Sequence, residues 1–182
     1  MAEAKPFIQV KLICGIISSE KLFFEKAEKH LLELYGAVDL RSPFFEFDIT
    51  DYYEKQMGKD LKRRFLSFCS LCAPERLSAI KVRTNILEEE IREELKEKFR
   101  VINLDPGYLT SSALIMATTK DFAHRIPLQN GIYAHLEFLF TKKGIRFLEW
   151  TYPDFKKEEY QNFFKEVRKI YLAQLRHAKS MC

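Results

Sequence analysis

PFIQVKLICGII (residues 6–17) followed by SSEKLFFEKAEKHLLELYG (residues 18–36) decides the fold. Ile8, Val10, Leu12, Cys14 and Ile16 recur at every second position, which predicts a strand over residues 6–17 with one strongly apolar face. Ser18 and Ser19 then offer a helix N-cap, and Leu22, Phe23, Ala27, Leu31 and Leu34 form a helical stripe that Gly36 ends. Outward from this strand and helix, residues 43–49 alternate through Phe45, Phe47 and Ile49, and residues 61–72 form a second apolar run suited to a strand. A helix is predicted from Pro74 to Phe99, with Leu77, Ile80, Leu87, Ile91 and Leu95 on its apolar side. Ile80, Val82 and Thr84 also alternate, which leaves a short strand inside that span as an alternative. The order strand, helix, strand, strand, helix, strand matches a ferredoxin-like βαββαβ unit.

The second half reads as an antiparallel β-meander closed by a C-terminal helix. Asp105-Pro106-Gly107 reads as a turn, since proline presets φ and glycine accepts a positive one. Residues 113–118, 124–128, 132–141 and 145–150 read as short strands between turn signals, and residues 156–178 as a helix with Phe163, Phe164, Val167, Ile170, Tyr171 and Leu175 on one stripe. The fold class expected is therefore α+β, in a single domain covering residues 1–182.

Composition narrows the function classes. The 182 residues are 47% apolar and 14% aromatic, enough for a real core and against disorder. Thirty basic and 26 acidic residues give a net charge of +4 on a mixed surface, which permits phosphate binding without demanding it. Lys11 interrupts the most hydrophobic stretch, so no membrane span is expected; Gln9 and Lys11 spoil it as a signal peptide, and a cytoplasmic location is expected. Cys69 and Cys72 have redox or metal spacing, but a zinc ribbon needs a second close pair; the alternative is buried thiols in a reducing compartment. The run Glu88-Glu89-Glu90 reads as a solvated helix face.

Asn130-Gly131 is a strong type I′ hairpin signal. Pairing Gln129 with Ile132 places His124 opposite Glu137, with His135 and Tyr133 on the same sheet face. A second tight turn at Lys143-Gly144 adds Trp150, and Tyr152 follows it. Two imidazoles and one carboxylate suit either a divalent metal at His124, His135 and Glu137 or acid and base chemistry near neutral pH.

The chain resembles the uncharacterised prokaryotic family catalogued as domain of unknown function 4416. The segments that carry the resemblance include Asn103 to Leu109, Ala117-Thr-Thr-Lys-Asp121, His124-Arg125, Gly131 to Ala134, Thr151-Tyr-Pro-Asp154 and Tyr52-Tyr53 with Met57-Gly58. The resemblance supplies no established activity. Some members are labelled GTP-binding, yet no phosphate-cradling Gly-x-x-x-x-Gly-Lys-Ser/Thr stands in this chain. Gln56 replaces a glutamate usual in the family, and His135 and Glu137 fall outside the family signature, which moves the weight to Tyr52, Tyr53, Asp105, Tyr108, Lys120, Asp121, His124 and Arg125. The function expected is binding of a small anionic ligand, a nucleotide or other phosphate compound, with His124 and Asp105 as candidate acid and base. On a strand His124 and Arg125 would face opposite ways. The rival is a noncatalytic module for RNA or protein, with Tyr52, Tyr53, Tyr108, Tyr133 and Trp150 stacking bases. RNA is the less favoured partner, and neither a cofactor nor a nucleophile is marked.

Overall fold

The computed structural model describes residues 3–48 and 54–180; Tyr52 and Tyr53 lie outside them, as does the end of the 43–49 alternation. One nine-stranded antiparallel sheet runs through the described residues. Its strands are β1 (Val10–Ser18), β2 (Val38–Arg41), β3 (Phe45–Glu46), β4 (Lys62–Cys72), β5 (Asn103–Leu109), β6 (Ala113–Thr118), β7 (Ile126–Pro127), β8 (Tyr133–Thr141) and β9 (Gly144–Phe147). The helices are α1 (Lys21–Tyr35), α2 (Glu54–Met57), α3 (Leu77–Glu94) and α4 (Glu158–Ser180). Strands follow the order β2-β4-β1-β5-β6-β8-β7, with β3 on β4 and β9 on β8. Because β1 and β2 are each antiparallel to β4 between them, α1 is the crossover of a split βαβ unit.

β1 is buried on both faces, where one strongly apolar face was expected. Leu12, Cys14 and Ile16 pack with α1, α3 and Ile102 on one side, and Ile13 joins α4 on the other. That is why the strand reads as a nearly continuous apolar run, while Phe7 and Ile8 before it are exposed. The one charge in β1, Lys11, is buried; its Nζ binds Asp39 and lies 3.0 Å from Gln174 Oε1 of α4. Such a partnered site is what allows a charge inside the sheet.

Several expected boundaries move. Glu20 occupies the α1 N-cap, whereas Ser18 Oγ donates to Val101 O at 2.6 Å. A 3₁₀ turn over Pro74–Arg76 opens α3, which is helical through the 80–84 alternation and ends at Glu94, just before Lys96 at φ 55°. Glu88 is not solvated: it accepts from Leu104 N at 2.7 Å and pairs with Arg100 at 2.5 Å. Cys69 and Cys72 both sit in β4 as free thiols, and burial raises the Cys72 pKa, opposite to what a reactive thiol needs.

Asp105-Pro106-Gly107 is not a turn but the middle of β5, facing Gly15, Cys14 and Ile13 of β1. Packing overrides turn propensity here. Gly107 is required for another reason: a Cβ there would lie 2.5 Å from Met116 Sδ and 2.6 Å from Ile115 O, so only glycine lets β5 and β6 approach. Of β5, Gly107, Tyr108 and Leu109 pair with β6, so Pro106 lies beyond that ladder.

Candidate functional site

The back face of the sheet, under α4, is aromatic: Phe65 meets Tyr160, Phe163 and Phe164 with ring centroids 5.0–5.7 Å apart. Phe155, just before α4, continues this packing with its ring centroid 5.7 Å from that of Phe65. A cavity of about 340 Å³ opens, lined by Arg63 of β4, Asp105 of β5, Met116 and Thr118 of β6, His135 and Glu137 of β8, Lys120, and the Tyr152–Phe155 segment, with Phe47 as a further wall.

On one side stands Arg63, 6% exposed despite its permanent charge. Its Nη1 binds Asp154, its Nη2 donates to Asp105 Oδ2 at 3.1 Å, and its guanidinium lies 4.5 Å from the Phe47 ring centroid. Lys81 Nζ reaches within 3.9 Å of Asp105 Oδ1 while donating to Leu104 O at 2.7 Å. This charge set is internally balanced, which is how four ionisable groups tolerate burial together.

The other side is built around His135. Arg125 Nε donates to His135 Nδ1 at 3.2 Å, and His124 Nε2 lies 3.3 Å from the same atom. A guanidinium is a donor only, so the lone pair of His135 must be on Nδ1 and the ring proton on Nε2. That Nε2 lies 3.1 Å from Glu137 Oε2, an ion-pair distance, without the alignment of a hydrogen bond. Glu137 Oε1 accepts from Tyr152 N at 2.7 Å. Burial pushes the Glu137 carboxyl above the ordinary carboxylate range, and Asp154 adds to this against His135 and the Tyr152 N–H. Loss of solvent, then His135 and Arg125, hold His124 below the ordinary imidazole value.

Arg125 organises the region. Its Nη1 donates to Lys120 O at 2.7 Å and its Nη2 to Tyr152 Oη at 2.8 Å. The guanidinium is buried and its donors are spent inside the protein. Nor do His124 and Arg125 face apart: both lie in a turn before β7, with Arg125 N donating to Phe122 O at 2.9 Å, and both reach His135.

The expected constellation assembles by a different register. Asn130 and Gly131 adopt φ 58° and 70°, and Ile132 N donates to Gln129 O, as a type I′ turn requires. Leu128 N also reaches Ile132 O, so Pro127 pairs with Tyr133, one residue off the expected pairing. β7 holds only Ile126 and Pro127, and His124 is not opposite Glu137. The β6–β8 ladder shifts between Leu114 and Ile115, leaving Glu137 as the extra residue of a bulge. In the second hairpin Thr141 pairs with Gly144 and Leu139 with Arg146, so Gly144 lies in β9 and not in the tight turn expected at Lys143-Gly144. Trp150 and Tyr152 follow β9 in a loop, Trp150 donating from Nε1 to Leu136 O at 2.8 Å and stacking on His124 at 4.8 Å.

Of the residues singled out from sequence, Asp105, Lys120, His135 and Glu137 line the cavity. His124 and Arg125 stand behind His135; Asp121 is exposed. Tyr108 belongs to the opposite face, packed near Leu77, Ala117 and Ile132, and burial raises its pKa. The metal reading is corrected: among the described residues no group of three His, Cys, Asp or Glu side chains is disposed to hold an ion. Arg125 takes the Nδ1 lone pair that a ligating His135 would use, and places a positive charge beside it. Asp105 is engaged by Arg63, and among the described residues no hydrogen bond joins it to His124. Neither Asp154 nor Arg63 was among the site residues expected from sequence; the place of Arg63 two residues before Phe65 on one face of a buried strand was the available signal.

The family described as Domain of unknown function (DUF4416) matches residues 8–171. The chain belongs to this DUF4416 family. No curated protein and no solved structure gives a match. The DUF4416 match spans β1 through most of α4 and so contains every lining residue of the cavity.

Proposed function

We propose that the protein binds a small ligand carrying an anionic group in the cavity beside α4. One observation carries the reading: a cavity of about 340 Å³ draws ionisable side chains from β4, β5 and β8 to one place, with Phe47, Met116 and Phe155 as apolar walls. Ligand sites have this size and this mixture of apolar wall and convergent polar groups. Lys120, which also lines the cavity, is a basic side chain that can pair with an anionic group. Asp105, Glu137 and Asp154 oppose a heavily charged ligand, so a phosphate monoester or carboxylate is favoured over a polyphosphate. The strand order β2-β4-β1-β5 with split crossovers supports a ferredoxin-like first half, extended by the meander within one domain. Free thiols at Cys14, Cys69 and Cys72 favour the cytoplasm. No described helix is long and apolar enough to cross a membrane.

Calorimetry with inorganic phosphate, a nucleoside monophosphate and a nucleoside triphosphate tests the reading. Binding that favours the monophosphate and falls by about tenfold or more in Lys120→Ala is expected, the loss of one charged hydrogen bond. Absence of binding by all three, or an unchanged affinity in the variant, overturns it.

A second reading, an interaction module, rests on Phe122, His124 and Trp150, stacked in sequence at 5.9 and 4.8 Å on an exposed surface. Base stacking on the sheet itself is not what this reading uses, since α1 and α3 cover one face and α4 the other. Retention of RNA or a protein by the wild type and its loss in Trp150→Ala, with the cavity empty of small ligand, favours this second reading.

A further inference from the structure

His135 and Glu137 are among the most deeply buried polar residues, at 1% and 0% exposure, and both line the cavity. Each retains one atom without a hydrogen-bond partner, Nε2 of His135 and Oε2 of Glu137. The opposite atoms are committed: Nδ1 to Arg125 and His124, Oε1 to Tyr152 N. Once Glu137 is ionised, the remaining pair is an N–H donor beside a carboxylate acceptor, 3.1 Å apart.

The two atoms face each other without the alignment of a hydrogen bond, and a ligand group that gives each an aligned partner improves on that contact. We propose that this donor and acceptor edge selects a ligand with a cis-amide, that is, a lactam or cyclic ureide whose C=O accepts from His135 Nε2 and whose N–H donates to Glu137 Oε2. The inference rests on the cavity reading and adds the chemistry of the ligand's other end. Arg125 acts as a positioning residue, because it fixes which nitrogen of His135 carries the proton. Phe47 and Phe155 provide the flat apolar walls a ring bearing such an edge requires.

The polarity is reversible by one atom. In Glu137→Gln the Tyr152 N–H keeps the amide oxygen at the Oε1 position, so the NH₂ falls where Oε2 stands and the acceptor becomes a donor. Two adjacent donors suit a carboxylate. The probes are isoquinolin-1(2H)-one, its N-methyl derivative and benzoate, titrated into full-length wild type and Glu137→Gln by ligand-observed NMR. In the wild type the lactam binds at least about tenfold more tightly than its N-methyl derivative, and in Glu137→Gln the preference turns to benzoate. In parallel, the imidazole ¹⁵N–H signal of wild-type His135 shifts with the lactam and not with the N-methyl compound, a readout that does not depend on the variant folding. Equal binding of lactam and N-methyl lactam, or an unchanged preference in a folded Glu137→Gln, overturns the edge and leaves the cavity reading standing. No binding of any probe to wild type, together with no anion binding by calorimetry, overturns both.

Discussion

Replacing Arg63 by methionine removes the charge at the centre of the cavity wall while keeping an unbranched side chain against Phe47. The consequence follows from what is left behind. Asp154 has a side chain 6% exposed and loses its partner; Asp105, 23% exposed, keeps Lys81 at 3.9 Å. Breaking a buried ion pair on one side costs about 3–5 kcal/mol, because the surviving charge stays desolvated. Asp154 carries most of that loss, since Lys81 shields Asp105. In a domain of this size about 3–5 kcal/mol corresponds to a fall in Tm of roughly 6–20 °C. Urea unfolding of the wild type, Arg63→Met, Asp154→Asn and the double variant forms the assay. The double variant is expected to recover about 2 kcal/mol or more relative to the sum of the singles, since removing both charges leaves none orphaned. A loss under about 1 kcal/mol in Arg63→Met, or additivity within about 0.5 kcal/mol, refutes the coupling argued for the pair.

Two further outcomes follow from the same wall. Gly107→Ala places a methyl group 2.5 Å from Met116 Sδ and 2.6 Å from the Ile115 carbonyl, so β5 and β6 must separate; a loss of about 1–3 kcal/mol is expected in urea unfolding, and a neutral result refutes the close approach. Glu137→Gln has a pH signature. Burial raises the folded pKa of this carboxyl above its unfolded value, so its stabilising contribution is present below the ordinary carboxylate range and is lost as pH rises through the raised value. The wild type should therefore be progressively less stable relative to Glu137→Gln as pH rises from the ordinary carboxylate range towards neutrality; a stability difference that stays flat, or grows on acidification, contradicts the assignment.

How much of this was legible in the sequence depends on the range of the forces involved. β1, α1, α3 and α4 were visible because each buries a face long enough to impose a period of 2 or 3.6 on the residues themselves. β2 shows in no local pattern and exists by pairing with β4, while β3 and β7 fall inside the runs read at 43–49 and 124–128 but are cut to two residues each by what β4 and β8 pair with. Asp105-Pro106-Gly107 went the other way: its local chemistry is that of a turn, but β1 on one side and Met116 on the other hold it extended. Turn propensity is a matter of about 1 kcal/mol per residue, and a central strand offers more than that in burial.

The site was half legible for a related reason. His135 and Glu137 are two residues apart, so their common face depended on local strand geometry and survived a register slip and a bulge that removed the expected His124 pairing. Arg63 and Asp154 meet across 91 positions, and Arg63 and Asp105 across 42; such contacts exist only once the sheet is assembled. The same distinction separates the roles of the two basic residues. Arg125 lies ten positions from His135 and sets its tautomer from within one hairpin, whereas Arg63 joins the sheet to the segment that leads into α4. Losing Arg125 should therefore alter which ligand edge the cavity accepts, while losing Arg63 should first loosen the wall that makes the cavity.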